Sequence, residues 1–194
     1  MSKFDMLVIS CRQLWHSSTY SASPERMAEF VQTSGGRVMP HYERGLKEAI
    51  DSHLPSYKHP QDNTHLWLLG HYFWSAEVEA DRVMQNTYKA GLFCLIHQDL
   101  QLLDKPDKWK AKTSRIITRA LEEARHLSPS DMSATRNDLY TIEQKEVFTQ
   151  VSVGNYQRDA RQHWEWVYSV VNEWERLALV PVCEWMNNLK DRVA

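Results

Sequence analysis

The segment NYQRDARQHWEW, residues 155–166, brings an arginine, a carboxylate and a histidine together in one short stretch. Arg158 is followed directly by Asp159, and four residues separate Arg158 from His163. Histidine exchanges protons near neutral pH and arginine binds phosphate oxygens, so the pair could carry out acid–base chemistry on a phosphate ester. The same residues are also ordinary at the start of a helix, so two interpretations must be weighed.

The spacing resembles the R-x4-6-H signature of HEPN-type ribonucleases, in which Asn, Asp or His often follows the arginine. The resemblance implies a metal-independent ribonuclease of a toxin or defence system that acts as a dimer. It also implies that Arg158 and His163 are the catalytic residues and meet at the dimer interface. A chain with 13 Arg and 9 His should contain roughly two such matches by composition alone. This chain contains two, the second being Arg119 with His126.

Helix geometry favours the plainer interpretation of this segment. Residues five positions apart on a regular helix are separated by ~140° around the axis, so Arg158 and His163 would lie on different sides. They could converge only through an irregular first turn near Gly154 or across a symmetric dimer. Asp159 is four positions from His163 and shares its face. We therefore predict that Asn155 is a helix N-cap and that Asp159 pairs with a partly buried His163.

A second candidate is a basic ridge on the helix predicted over residues 106–126. Four cations of this helix project within ~60° of one another around the helix axis. They are Lys108, Lys112, Arg115 and Arg119. Such a row can contact successive phosphates of a nucleic acid or an acidic protein surface, with Trp109 nearby. Glu122 and Glu123 interrupt the row, and Arg119 and Glu123 have the spacing of a favourable ion pair, which fits a solvated polar face equally well.

We predict that the chain holds no metal and no cofactor. His53, His59, His65 and His71 recur every six residues, whereas metal ligands on one helix need spacings near three or four. The Glu123-x-x-His126 step of di-iron bundles lacks its required second copy. TSGGR at 33–37 matches neither a P-loop nor a dinucleotide-binding pattern.

The composition indicates a globular helical protein of the cytoplasm. The 194 residues include 42% hydrophobic residues and eight Trp, and the net charge of −2 means that nucleic-acid binding needs a local patch. Six Gly and seven Pro are too few for many tight turns. Cys11, Cys94 and Cys183 are far apart, which argues against a disulfide framework and fits a reducing compartment. No apolar run reaches the roughly 18 residues of a membrane span.

Helical periodicity recurs along almost the whole chain and predicts an all-α bundle of six to eight helices in a single domain, 1–194. A subdivision near 55–63 is the alternative. Thr141 and Gln144 form a capping-box pattern, and the helix after it should bury Val147, Phe148 and Val151. Pro181 should kink a long C-terminal helix. That helix and the helix over 106–126 each carry an apolar stripe that should face the core, with Val167 and Val171 on the first and Ile116, Ile117 and Leu121 on the second. The other helices are expected at 4–15, 23–34, 40–54, 64–103 (with a break near Gly91 or close helix contacts at Gly70 and Gly91) and 106–126.

Together these observations favour a non-enzymatic interaction protein. It would dock onto a protein or nucleoprotein partner, with the ridge of Lys108, Lys112, Arg115 and Arg119 touching nucleic acid or an acidic surface. A homodimer is compatible with this function. The HEPN-like ribonuclease, with Arg158 and His163 as its catalytic pair, is the alternative.

Overall fold

The computed structural model describes residues 11–16, 19, 46, 48–50, 64–128, 137–151 and 154–193. In this part of the chain 86% of the residues are helical and none is in a strand, which confirms the predicted all-α class. The helix predicted over 23–34 and the subdivision near 55–63 lie outside the described residues. Of the helices predicted over 4–15 and 40–54, residues 11–15, 46 and 48–50 are described and are helical.

From Thr64 onward, the described residues form seven α-helices and one π-helical turn. They are α1 (Thr64–Trp74), α2 (Ala76–Ala80), α3 (Arg82–Leu102), α4 (Asp107–Leu127), α5 (Ile142–Thr149), the π turn (Tyr156–Ala160), α6 (Arg161–Ala178) and α7 (Val180–Val193). Four of these helices form a closed ring of neighbours, since α1 and α4 each pack against both α3 and α6. Helix α5 and the π turn contact each other, and α5 packs against α4.

The apolar stripes predicted for α4 and α6 form the centre of this bundle. Ile116 and Leu121 of α4 are fully buried, as are Val167 and Val171 of α6. About five side chains on each helix are buried in this way, and each contributes roughly 1.5–3 kcal/mol to the free energy of folding. Their sum is larger than the contribution of helix propensity, so packing holds the bundle together. The bundle therefore places the opposite, polar flank of α4 at the surface.

The stretch from Thr64 to Leu103 is three helices rather than one, so the predicted break near Gly91 is wrong. Helix α1 ends before Ser75, whose hydroxyl accepts a hydrogen bond from the Val78 amide. Helix α2 ends before Asp81, whose carboxylate accepts hydrogen bonds from the amides of Val83 at 2.8 Å and Met84 at 3.2 Å. Short oxygen-bearing side chains satisfy the first amides of a new helix, and this stabilises a restart at each position.

Gly70 and Gly91, the two glycines of this stretch, lie against apolar side chains. This agrees with the alternative prediction that they mark close helix contacts. A Cβ atom on Gly70 would overlap the indole of Trp15, whereas a Cβ on Gly91 would meet Leu68 Cδ1 at 3.4 Å. Trp15 is fully buried and also contacts Trp74. Gly70 therefore lets the helical stretch 11–16 pack directly onto α1.

Replacing Gly70 with alanine should cost about 1–3 kcal/mol of folding free energy, because the Trp15 ring must move out of its site. Gly91→Ala is the matched control, since it has room for a methyl group and gains helix propensity of up to ~1 kcal/mol. Urea unfolding of both variants measures the difference. Equal midpoints would show that Trp15 does not pack on Gly70.

Two local predictions in the C-terminal half are confirmed. The Thr141 amide donates to Gln144 Oε1 at 2.9 Å and the Gln144 amide donates to Thr141 Oγ1 at 3.3 Å, which completes the capping box of α5. The long C-terminal helix is bent, since α6 ends at Ala178 and α7 restarts at Val180. Pro181 has no amide hydrogen for a continuous helix, which accounts for the interruption.

Helix α5 buries a different face from the one predicted. Val147, expected in the core, is 66% exposed, while Lys145, Glu146 and Thr149 are buried. The hydroxyl of Thr149 donates to backbone carbonyls of its own helix, and Glu146 accepts from the amides of Gly154 and Tyr156. Lys145 is buried because α4 offers it a buried carboxylate, Glu123, at 3.0 Å.

Candidate functional site

His163 lies in the interior between α4 and α6. It is only 1% exposed, its Nδ1 atom is hydrogen-bonded to Thr113 Oγ1 at 2.7 Å, and its ring lies 4.8 Å from the ring of Trp109. Burial, helped by the nearby charge of Lys112, lowers the pKa of His163 to about 4, against a small opposing effect of the Asp159 backbone. The ring is therefore neutral at physiological pH and is enclosed by protein.

Arg158 lies at the surface in the π turn, with a side chain that is 73% exposed. Its Nε and Nη2 atoms donate to the two carboxylate oxygens of Asp159 at 3.0 and 2.9 Å. This ion pair raises the pKa of Arg158 and lowers the pKa of Asp159. The predicted pairing of Asp159 with His163 is wrong, because the π turn and the adjacent guanidinium direct the carboxylate elsewhere.

The structure thus separates the two residues of the R-x4-6-H match within one chain. Arg158 is solvated and neutralised by its neighbour, while His163 is buried and bonded to α4. Neither residue hydrogen-bonds to the other. Asn155 occupies the N-cap position before the π turn, as predicted, but its side chain makes no capping hydrogen bond.

The basic ridge runs along the solvent-facing flank of α4. Lys108, Arg115 and Arg119 are exposed and Lys112 is half-buried. Arg115 Nη1 donates to the neutral side chain of Gln150 at 2.5 Å, so its charge is not cancelled. Among the described residues no carboxylate pairs with Lys108 or Lys112.

Arg119 differs from the other three cations because it is already paired. Its Nη1 atom donates to Glu122 at 3.0 Å, and its guanidinium lies 5.4 Å from the centre of the Phe148 ring. The predicted ion pair between Arg119 and Glu123 is wrong, because Glu123 is fully buried in the core. The usable positive charge of the ridge is therefore concentrated on Lys108, Lys112 and Arg115.

An indole lies beside the lysines of this ridge. Trp109 is half-buried, with the Lys105 ammonium 5.7 Å from its ring centre and Trp166 edge-on at 6.2 Å. The charge of Lys112, after that of Arg158, also contributes to the lowered pKa of Asp159. The N-terminal half of α4 thus places cations next to an aromatic ring.

A cavity of about 620 Å³ adjoins the other end of the ridge, where α3 and α4 meet the end of α1 and the short helix α2. Arg82, Lys89 and Arg125 line it, and Lys89 donates to Glu122 at 2.8 Å. The guanidinium of Arg125 lies 5.1 Å from the ring centre of Tyr72, whose pKa burial raises to about 12. Sequence reasoning missed this cavity because four helices must pack together to form it.

Sequence reasoning also missed a buried polar cluster around Glu123, which is 0% exposed. Its carboxylate accepts from Lys145 Nζ at 3.0 Å, from the Tyr140 amide at 3.1 Å and from the Tyr168 hydroxyl. Burial would lower the pKa of Lys145, but Glu123 raises it above its usual value. Burial and Glu123 both raise the pKa of Tyr168. Every polar atom of the carboxylate has a protein partner, so the cluster is a structural element rather than an open site.

The described residues contain no group of three or more His, Cys, Asp or Glu side chains arranged to hold a metal ion. His65 and His71 instead pack against Trp174 and Trp67, at ring distances of 4.7 and 4.1 Å. His53 and His59 lie outside the described residues. Within the same part of the chain, no helix has the length and apolar character needed to cross a membrane.

Comparison with known proteins supplies no relative: no protein-family model, no curated protein and no solved structure matches this chain.

Proposed function

We propose that this chain is a non-enzymatic interaction protein of the cytoplasm that docks onto a nucleoprotein or protein partner through the basic ridge of α4. The observation that carries the proposal is the row of Lys108, Lys112 and Arg115. Lys108 and Arg115 are exposed, Lys112 is half-buried, and none of the three forms an ion pair with a carboxylate among the described residues. Positive side chains that no internal acid neutralises are available to an external anion.

The spacing of the row suits a nucleic-acid backbone. From Lys108 to Arg119 the helix rises about 17 Å, which is close to five base-pair steps of a duplex. The half-buried Trp109 adds an aromatic side chain beside the row, and aromatic side chains commonly accompany cations on such surfaces. Because the whole chain carries a net charge of −2, such binding must be local and should weaken steeply with salt.

The HEPN-like ribonuclease requires a histidine that reaches the RNA and exchanges a proton. His163 is enclosed between α4 and α6 and remains neutral, which favours the non-enzymatic proposal over this alternative. A dimer would have to uncover His163 and bring it to the partner's arginine. We expect RNA to remain intact after incubation with the purified protein; cleavage that is lost in both Arg158→Ala and His163→Ala would establish the alternative.

Reversing two ridge charges should abolish most of the binding. We expect the Lys108→Glu, Arg115→Glu double variant to bind a labelled single-stranded or duplex oligonucleotide at least ~50-fold more weakly near 0.1 M salt, since each phosphate contact contributes roughly 10-fold there. Fluorescence anisotropy across a salt series should also show a slope reduced by roughly 1.4–1.8.

Arg176→Glu is the matched control, because Arg176 is an exposed cation of α6 that already pairs with Glu173 at 2.7 Å. It should leave affinity and salt slope nearly unchanged. A double variant that binds oligonucleotides as well as the wild type would refute the nucleic-acid proposal. Binding to polyglutamate but not to oligonucleotides would assign the ridge to an acidic protein surface instead.

A further inference from the structure

Two cysteines that are far apart in the sequence lie in direct contact. The Sγ atoms of Cys11 and Cys183 are 2.7 Å apart, although 172 positions separate the residues along the chain. Both residues are in the reduced, thiol form in this structure. Cys11 is fully buried, whereas Cys183 is half-buried and so has some access to solvent.

Independent contacts hold the helical stretch 11–16 in the register that creates this pair. Arg12, next to Cys11, donates from Nε to Glu175 at 2.8 Å and makes a second hydrogen bond to the same carboxylate oxygen. The other oxygen of Glu175 accepts from the Ser128 hydroxyl at 3.1 Å. Glu175 lies two helical turns before Cys183, so this partly buried ion pair sets Cys11 beside the start of α7.

The packing of Trp15 on α1 supplies a second anchor. Trp15 is one helical turn after Cys11, is fully buried, and fits against Gly70, where a methyl group would already overlap it. An ion pair on α6 and an aromatic contact on α1 thus fix the same short helix. The two thiols are held together by this packing and do not depend on a chance encounter of chain ends.

We propose that Cys11 and Cys183 form a covalent modification site, at which a small-molecule disulfide oxidises the two thiols to an intramolecular disulfide. The sulfurs need to approach by less than about 1 Å to reach the bonding distance of a disulfide. The bond joins the helical stretch 11–16 to α7 and closes almost the entire chain into one loop.

The reaction proceeds by two thiol–disulfide exchanges. Cys183, the more accessible thiol, loses its proton, attacks the reagent disulfide and releases one reagent thiolate. Cys11 then loses its proton and attacks the Cys183 sulfur, which forms the internal bond and releases the second reagent thiolate. The two protons from the protein end on the two released thiols, and the reagent is reduced by the two electrons that the protein loses.

Oxidised glutathione and intact-mass spectrometry test this site on the full chain. After alkylation of the remaining thiols, we expect a product that has lost two hydrogens and carries an alkyl group at Cys94, and digestion should release a peptide that links Cys11 to Cys183. The oxidised chain should unfold roughly 5–10 °C higher than the reduced chain, because the bond restricts the unfolded state.

Cys94→Ser and Cys183→Ser are the paired variants. Cys94 is exposed on α3, so its removal should leave the internal bond intact, whereas Cys183→Ser should abolish both the linked peptide and the rise in Tm. Accumulation of glutathione on Cys183 without an internal bond would overturn the proposal. So would alkylation of both Cys11 and Cys183 under conditions that fully modify Cys94.

Discussion

Glu123→Ala should destabilise the folded chain by about 3–5 kcal/mol, the largest loss expected from any single substitution considered. The variant removes the carboxylate that neutralises Lys145, whose side chain is only 6% exposed. It also leaves the Tyr140 amide and the Tyr168 hydroxyl without their acceptor. Lys145 then keeps its 3.3 Å ion pair with the exposed Asp138 but loses its buried partner, and two half-buried donors lose their acceptor, so the desolvation of all three groups is less well compensated.

Urea unfolding followed by tryptophan fluorescence measures this loss. Glu165→Ala is the control, because Glu165 makes an exposed pair with Arg161 at 2.6 Å and such pairs contribute about 0–1 kcal/mol. The double variant Glu123→Leu, Lys145→Met should recover much of the stability, since it removes both charges together. A loss below about 1 kcal/mol for Glu123→Ala would contradict the buried cluster.

Acidification from pH 6.5 to pH 5 should remove about 1.5 kcal/mol of stability through His163 alone. The folded-state pKa of His163 is about 4 and its ordinary value is 6.5. Between these values the unfolded chain binds a proton that the folded chain does not, so stability is complete above pH 6.5 and falls as the pH drops toward 4. The physical cause is the burial of the ring beside Lys112.

His163→Gln tests this pH dependence, because glutamine keeps hydrogen-bonding capacity beside Thr113 and does not titrate. Its free energy of unfolding should change much less between pH 6.5 and 5 than that of the wild type, a window in which few carboxylates titrate. Thr113→Val is the companion variant. It should lower stability at every pH while keeping the wild-type slope. An identical slope in His163→Gln and the wild type would show that His163 is not held neutral by the fold.

Local sequence signals predicted much of the helical framework. The capping box at Thr141, the bend at Pro181 and the apolar stripe of α4 each depend on residues within a few positions of one another, and each is confirmed. The breaks at Ser75 and Asp81 also have local signals, since both residue types are preferred N-caps. The apolar periodicity continues without interruption across Ser75 and Asp81, so the sequence pattern favoured one long helix at these N-cap residues.

The polar residues proved far less predictable than the apolar ones. Val147 was expected to face the core and Glu123 to face solvent, and both expectations are wrong. A buried carboxylate is stable only when cations and donors from other elements meet it. Those partners, Lys145 and Tyr168, lie 22 and 45 positions away, so no local pattern records them.

The sequence by itself determined that the chain forms helices, where several of them begin and bend, and that one flank of α4 carries a row of cations. These properties follow from backbone hydrogen bonding and side-chain spacing within a few turns. Only the tertiary structure decided that His163 is buried against Thr113, 50 positions away, and that Cys11 meets Cys183. Burial and contact are set by which helices pack together, and that packing depends on the summed apolar surface of the bundle rather than on any short motif.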